Sequence, residues 1–264
     1  MSDSAMEATR AEAIASWIAS DLPDGLWINV GANLAVPRAG VLLAHLTHAP
    51  NLRVHLAFSR AYLRDQPVLE GSSSIADWRG ARWAESYLVH NMTYDNNRHR
   101  KDGAFFIGGL QIDPYGNTNL IGIGSDPKKL KFRGPGGIGT GYMAAFAGRL
   151  YIYVQSHDCR VFVPQCDYVS AFGWRRGDVT RESLGLPGGG PRCCITPLGI
   201  FDFEPAGRRM RLKSLHPGVT LEQVKDNTGF DVVAEGDVPT TPAPTAEQLV
   251  LLRTRIDAGG ELHR

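Results

Sequence analysis

The sequence predicts an α/β fold, an open and mainly parallel sheet flanked by helices, because short apolar strand, glycine-bearing loop and helix recur in that order. The order runs once from Leu26 to Phe58 and again from Ala104 to Val154. The 264 residues, 43% apolar and 21% charged, suffice to bury one substantial core, and the length alone allows one large domain or two small ones.

The first element is a helix carrying Ala11, Ile14, Ala15, Trp17 and Ile18 at helical spacing, ended by the Asp21-Leu-Pro-Asp-Gly25 turn. Leu26 to Val30 is a short apolar strand, Gly31-Ala32-Asn33 breaks it, and Pro37 to Leu46 restarts a helix with Val41, Leu42, His45 and Leu46 on one side. Leu52 to Phe58 is again of strand length and completes a βαβ unit. From Asp65 to Arg100 the pattern is irregular, with Trp78, Trp83, Tyr87 and Tyr94 near a run of amides. Short helices and loops are expected there, the aromatics forming either core or a bulky apolar wall.

Ala104 to Ile112 reads as one buried strand with two central glycines, followed by the Tyr115-Gly116-Asn117 turn and a strand from Thr118 to Ile123. Gly134 to Gly141 is a glycine-rich loop leading into Ala144, Ala145 and Ala147 and then the strand Leu150 to Val154. Further strands are expected at 160–164, 168–170, 193–196 and 200–203. Arg209, Arg211 and Lys213 alternate with Met210 and Leu212, the period of a strand with one solvated face. Thr220 with Gln223, and Thr245 with Gln248, each signal a capped helix start. Residues 238–244 between them read as an extended linker, with the last helix over about 245–257.

No apolar run approaches the roughly 18 residues of a membrane-spanning helix, and a net charge of +1 provides no global field for nucleic acid or anionic membrane. Neither partner is expected. The acidic, alanine-rich start lacks the basic and apolar regions of a secretory signal, so a cytoplasmic setting is expected. Cys159, Cys166, Cys193 and Cys194 show no metal spacing and read as reduced thiols. His45 and His48 lack the motif or third ligand of a metal site, and no nucleophile elbow marks a hydrolase triad.

Gly134, Gly136 and Gly139 formally satisfy a dinucleotide fingerprint, with Asp158 about 20 residues beyond. However, Lys128, Lys129, Lys131 and Arg133 precede the glycines where a clean apolar strand belongs. Such a loop equally cradles a phosphate or a pantetheine amide, faces a developing oxyanion, or makes a tight turn. The cations before it suit the phosphates of a nucleotide tail.

Several collinear segments resemble the β subunit of glutaconate CoA-transferase, within the class I CoA-transferases. They are Thr47 to Asn51, Ile107 to Asn119, Phe132 to Gly137, Asp167 to Ser170 with Gly173-Trp174, Arg181 to Gly188, Pro197 to Ile200, His216 to Thr220 and Asp226 to Asp231. The resemblance implies a single CoA-transferase β-subunit-like domain over 1–264 with the open α/β fold of that family, an acyl-CoA thioester as substrate, no permanently bound cofactor, and a homologous α subunit in an α2β2-type assembly. It also implies that a glutamate at the end of the second strand attacks the thioester. Counting from Ala49-Pro50-Asn51 places Ala57 at that position, and the first acidic residue beyond is Asp65. The resemblance thus points away from ordinary CoA transfer and toward decarboxylase or C–C/ring-opening hydrolase chemistry. A noncatalytic subunit supporting an active partner and a nicotinamide-dependent oxidoreductase are the alternatives. Strand alternation puts His55 and Ser59 on the face of Ala57 as candidate catalytic groups. Asn33, Gln111, Gly136 and Gly137 are the candidate contacts to the CoA thioester.

Overall fold

The computed structural model describes residues 7–31, 33–56, 61–63, 84–87, 102–137 and 139–263. The chain divides into two compact units, Met1–Arg98 with Asp102–Phe106 and Pro242–Arg264, and His99–Lys101 with Ile107–Thr241.

In the first unit, helix α1 (Arg10–Asp21) begins with a capping box between Thr9 and Glu12 that the sequence reading did not pick out. Strand β1 (Trp27–Val30), helix α2 (Ala35–Leu46) and strand β2 (Arg53–Leu56) form the expected βαβ unit, β1 and β2 pairing in parallel. Strands β3 (Ala61–Leu63) and β4 (Ala84–Tyr87) extend this side antiparallel, whereas β5 (Gly103–Ile107) pairs in parallel with the other edge of β1. The stretch expected to hold only helices and loops therefore contributes a strand at Ala84–Tyr87. The aromatics at 78, 83 and 94 lie outside the described residues.

Helices α1 and α2 meet at Gly40, where a Cβ would lie 2.7 Å from the Ala15 carbonyl oxygen and 2.8 Å from the Ile18 Cβ. Glu12, 1% exposed, accepts from Arg253 Nε at 2.6 Å and Nη2 at 2.9 Å. Ser16 donates to Gln248 at 2.8 Å. These bonds fasten the C-terminal helix, Ala246–Leu251, onto α1, and its Thr245–Gln248 capping box is present as expected. Its continuation, Leu252–Ile256, widens to a π-helix.

The expected strand over Ala104 to Ile112 is two strands, β5 and β6 (Gln111–Ile112), separated at Gly108-Gly109. The expected strand from Thr118 to Ile123 likewise divides into β7 (Thr118–Asn119), paired with β6, and β8 (Gly122–Ile123), paired with β9 (Phe132–Arg133). The division falls where Asn119 turns its side chain onto its own backbone, accepting from the Ile121 amide at 2.9 Å. After α3 (Thr140–Phe146) comes β10 (Arg149–Tyr153). The short hairpin of β11 (Arg175–Arg176) and β12 (Val179–Thr180) follows. Strand β13 (Pro191–Ile195) pairs in parallel with β10, and β14 (Gly199–Phe203) and β15 (Met210–Leu215) add antiparallel. Along β15, Met210 and Leu212 are buried while Lys213 is exposed, the alternation the sequence predicts.

No strand forms at 160–164 or 168–170; single bridges, Ile112 to Phe162 and Thr118 to Ala171, stand there instead. Asp158 curls the first of these stretches by accepting from the Arg160 amide at 2.8 Å and the Val161 amide at 3.3 Å. Helix α4 (Leu221–Asp226) carries the Thr220–Gln223 capping box. The linker after it is tied at Thr241, whose amide donates to the Leu215 carbonyl at 2.7 Å. The sheet is mixed, with parallel pairs between β1 and β2, β1 and β5, and β10 and β13.

Two buried titratable groups brace this second unit. His157 lies between the hydroxyls of Thr196 (2.9 Å) and Thr228 (3.0 Å) and stacks on Phe162. Burial pulls its pKa down to about 4, so its neutral ring stabilises the fold above pH ~6.5 and that contribution is lost as pH falls toward 4. Asp113 accepts from the amides of Tyr115 and Asn117 and from the Asn117 side chain. Burial nonetheless pushes it up to about 6, so its contribution is present below pH ~4 and lost as pH rises through 6. The two slopes oppose each other in one window, at ~1.4 kcal/mol for each tenfold change in proton affinity. Thermal unfolding between pH 4 and 7 is expected to show a shallower acid loss for His157→Gln and a steeper one for Asp113→Asn.

Candidate functional site

In the second unit the glycine loop begins where hairpin β8–β9 ends. Gly134 donates its amide to the Ile121 carbonyl at 2.8 Å, and a Cβ there would lie 2.3 Å from the Leu120 carbonyl oxygen, so only glycine fits. Gly136 has φ +88°, with open space where a side chain would stand, and donates to the Leu120 carbonyl at 2.9 Å. The Gly137 carbonyl accepts from Thr140 at 2.7 Å, while its own N–H meets no acceptor among the described residues. Of the two amides singled out by the resemblance, Gly136's is committed within the chain and Gly137's is open as far as the described residues go.

The segment that holds this loop is itself held by buried amides. Gln111, 5% exposed, accepts through Oε1 from Asn119 Nδ2 at 2.7 Å and from the Asp167 amide at 3.0 Å. Asn119 also donates to the Gly122 carbonyl at 2.8 Å. Ser170 Oγ accepts from the Leu120 amide at 2.8 Å. Gln111 thus acts on the glycine loop through Asn119 and the carbonyls of Leu120 and Ile121. Asn119 and Ser170 carry part of this work and were assigned no role from sequence. Their signal was an amide and a hydroxyl beside strand-breaking glycines, which turns in general share.

The dinucleotide alternative lacks its context. Phe132 and Arg133, the two residues of β9, are both exposed, whereas a dinucleotide fingerprint follows a buried strand. Asp158, the candidate ribose acid, is instead bonded to Arg160 at 2.9 Å.

In the first unit, Asn33 stands in the loop after β1, exposed and left-handed at φ 57°. That loop is fixed on two sides. Gly31 donates to the Phe106 carbonyl at 3.0 Å, and its own carbonyl accepts from Arg38 Nη2 at 2.9 Å. Arg38 is fully buried, and burial draws its pKa down to about 10. His55 occupies β2 opposite Asn29 of β1. Ala57 and Ser59 lie outside the described residues. His48 bonds the Leu22 carbonyl through Nε2 at 3.0 Å. Among the described residues no cluster of His, Cys, Asp or Glu has the makings of a metal site, and no helix is long and apolar enough to cross a membrane. None of the four cysteines forms a disulfide.

The loop geometry makes one substitution informative. Gly134→Ala is expected to push the glycine loop off the Leu120 carbonyl at a cost of ~1–3 kcal/mol, the range of overpacking, read as a loss of Tm.

The coenzyme A transferase family model matches residues 11–227 of the chain. The β subunit of glutaconate CoA-transferase from Acidaminococcus fermentans is 34% identical over 95% of this chain and 93% of its own length. The crystal structure of that organism's enzyme superposes with a TM-score of 0.86 over 98% of each chain. The IpdB subunit of a cholesterol ring-cleaving hydrolase from Rhodococcus jostii is 31% identical over 97% of this chain and 96% of its own length. IpdAB from that organism superposes with a TM-score of 0.83 over 98% of each chain. The decarboxylase AibA/AibB, 23% identical, shares the fold with a TM-score of 0.81 over 97% of this chain and 98% of its own. A mixed sheet flanked by helices, the matched span of over two hundred residues and full-length relatives above 30% identity agree, and the chain belongs to the coenzyme A transferase family.

Proposed function

We propose that this chain is the β subunit of a cytoplasmic, α2β2-type enzyme that acts on an acyl-CoA thioester by decarboxylation or by hydrolytic C–C or ring opening. The observation that carries the proposal is the run from Ala57 to Arg64, which contains no carboxylate. Alanine has no nucleophile with which to form the mixed anhydride and enzyme thioester that CoA transfer between carboxylates requires. Chemistry on the acyl chain needs neither adduct, because the thioester serves there as a handle and as a sink for electron density.

The relatives support this direction. One is named as a ring-cleaving hydrolase subunit, and the same fold serves a decarboxylase. Fold alone does not fix chemistry, so the reading rests on the residues at the strand end. In this reading the open Gly137 amide faces the thioester, Gln111 keeps that amide in place, and Asn33 borders the acyl group. His55 and Ser59 are the groups of this chain offered as general base or substrate hydrogen-bond partner, and the remaining groups come from the α subunit.

The test is co-expression with the partner subunit and incubation with a panel of acyl-CoAs plus acetate, each CoA species being followed by mass spectrometry. The expected result is an acyl chain that loses carbon dioxide or gains water, with no acetyl-CoA and no CoA adduct on this chain. Acetyl-CoA, or an adduct on this chain, overturns the reading. A complex that binds acyl-CoA and leaves every ester unchanged favours the noncatalytic subunit instead. If His55 or Ser59 is the general base, its alanine variant is expected to lower kcat by about 100- to 10,000-fold with KM little changed.

A further inference from the structure

Hairpin β8–β9 leads into the glycine loop and carries a charge pattern that the core does not explain. Lys128, Lys129, Lys131 and Arg133 are all exposed. None of the four makes an ion pair with the described residues. The nearest acid in sequence, Asp126, is turned into the hairpin, accepting the Lys128 amide at 2.9 Å. The backbone beneath is fixed: the Lys131 amide donates to Ile123 at 2.8 Å, and the Gly124 amide donates to the Asp167 carboxylate at 2.8 Å. Lys131 and Arg133 flank Phe132 and so face the opposite way from its ring. Lys128 and Lys129 lie in the turn at the tip. Four of the chain's 28 cations are thus concentrated in six residues of a chain whose net charge is +1.

We propose that this hairpin binds the phosphorylated nucleotide end of the CoA thioester, the 3′-phosphate and diphosphate of its adenosine. The proposal rests on the acyl-CoA reading above and adds where the far end of the substrate lies. A CoA thioester is linear, with its reacting carbonyl and its phosphates at opposite ends of a pantetheine arm. A protein that meets the carbonyl at Gly137 therefore needs unpaired cations an arm's length away. Lys131 stands six positions before Gly137, an extended reach of at most about 20 Å. Lysine ammoniums are compact point charges suited to phosphate, and Arg133 adds a planar fork for a terminal phosphate. Because the cations are exposed, the attraction is screened by salt.

The test measures binding of CoA, 3′-dephospho-CoA and pantetheine to the assembled two-subunit complex by titration calorimetry. It compares the native complex with one carrying Lys129→Gln, Lys131→Gln and Arg133→Gln together. The native complex is expected to bind CoA at least tenfold more tightly than pantetheine, with 3′-dephospho-CoA between them and the preference shrinking as salt rises. The triple variant is expected to lose tenfold or more for CoA and to leave pantetheine unchanged. Equal affinity of variant and native complex for CoA overturns the proposal, as does an equal loss for CoA and pantetheine. Failure of the variant to assemble also overturns it, assigning the hairpin to subunit docking. A native complex that binds pantetheine and CoA alike removes the phosphate site but keeps the acyl-CoA reading; one that binds no CoA species removes both.

Discussion

Much of the second unit is held by buried polar side chains standing in for backbone ladders. Strands of two residues satisfy few of their own amides, and a buried amide without a partner is costly. Asn117 supplies one answer: its side chain donates to Asp113 and to the Arg175 carbonyl and accepts the Gly173 amide. Gly173 is pressed so close to the Tyr115 carbonyl, 2.1 Å from where a Cβ would be, that a side chain has no place there. Arg181 does similar service, 2% exposed and donating to the carbonyls of Phe172 at 3.0 Å and Ala144 at 3.1 Å. Removing one such group leaves several backbone partners unpaired together, so these networks fail as units.

The glycine loop is the functional product of this arrangement. Its course is dictated from beneath, by carbonyls at positions 120 and 121 that Asn119, Gln111 and Ser170 keep in place. A loop on a rigid support can offer an amide to a ligand without reorganising at the moment of reaction. The first unit solves the same problem by different means. There the loop after β1 is anchored by a buried guanidinium and a neighbouring strand carbonyl, and the helices behind it are locked by the Glu12–Arg253 pair.

The fold and its chemistry are separable. The same frame is shared with proteins named as a transferase subunit, a ring-cleaving hydrolase subunit and a decarboxylase. Under the function proposed above, the chemistry of this chain turns on one strand end, where alanine stands in the place that the family resemblance gives to a glutamate.

The sequence by itself determined the βαβ unit of β1, α2 and β2, the capped starts at Thr220 and Thr245, the alternation along β15 and the family, because each rests on local periodicity, on a cap that a few neighbouring residues complete, or on a long motif. Helix and strand periods are written in consecutive residues and need no distant partner. Tertiary structure alone decided that Ala104 to Ile112 and Thr118 to Ile123 each break in two, that Phe162 and Ala171 make single bridges, and that Gln111 turns its carbonyl to Asn119 and Asp167. It also decided that Gly136 commits its amide to the Leu120 carbonyl, while that of Gly137 meets no acceptor among the described residues. Those outcomes depend on which buried donor finds which acceptor, and the partners, such as Gln111 with Asp167 or Leu120 with Ser170, lie tens of residues apart, so only the folded chain brings them within hydrogen-bonding reach.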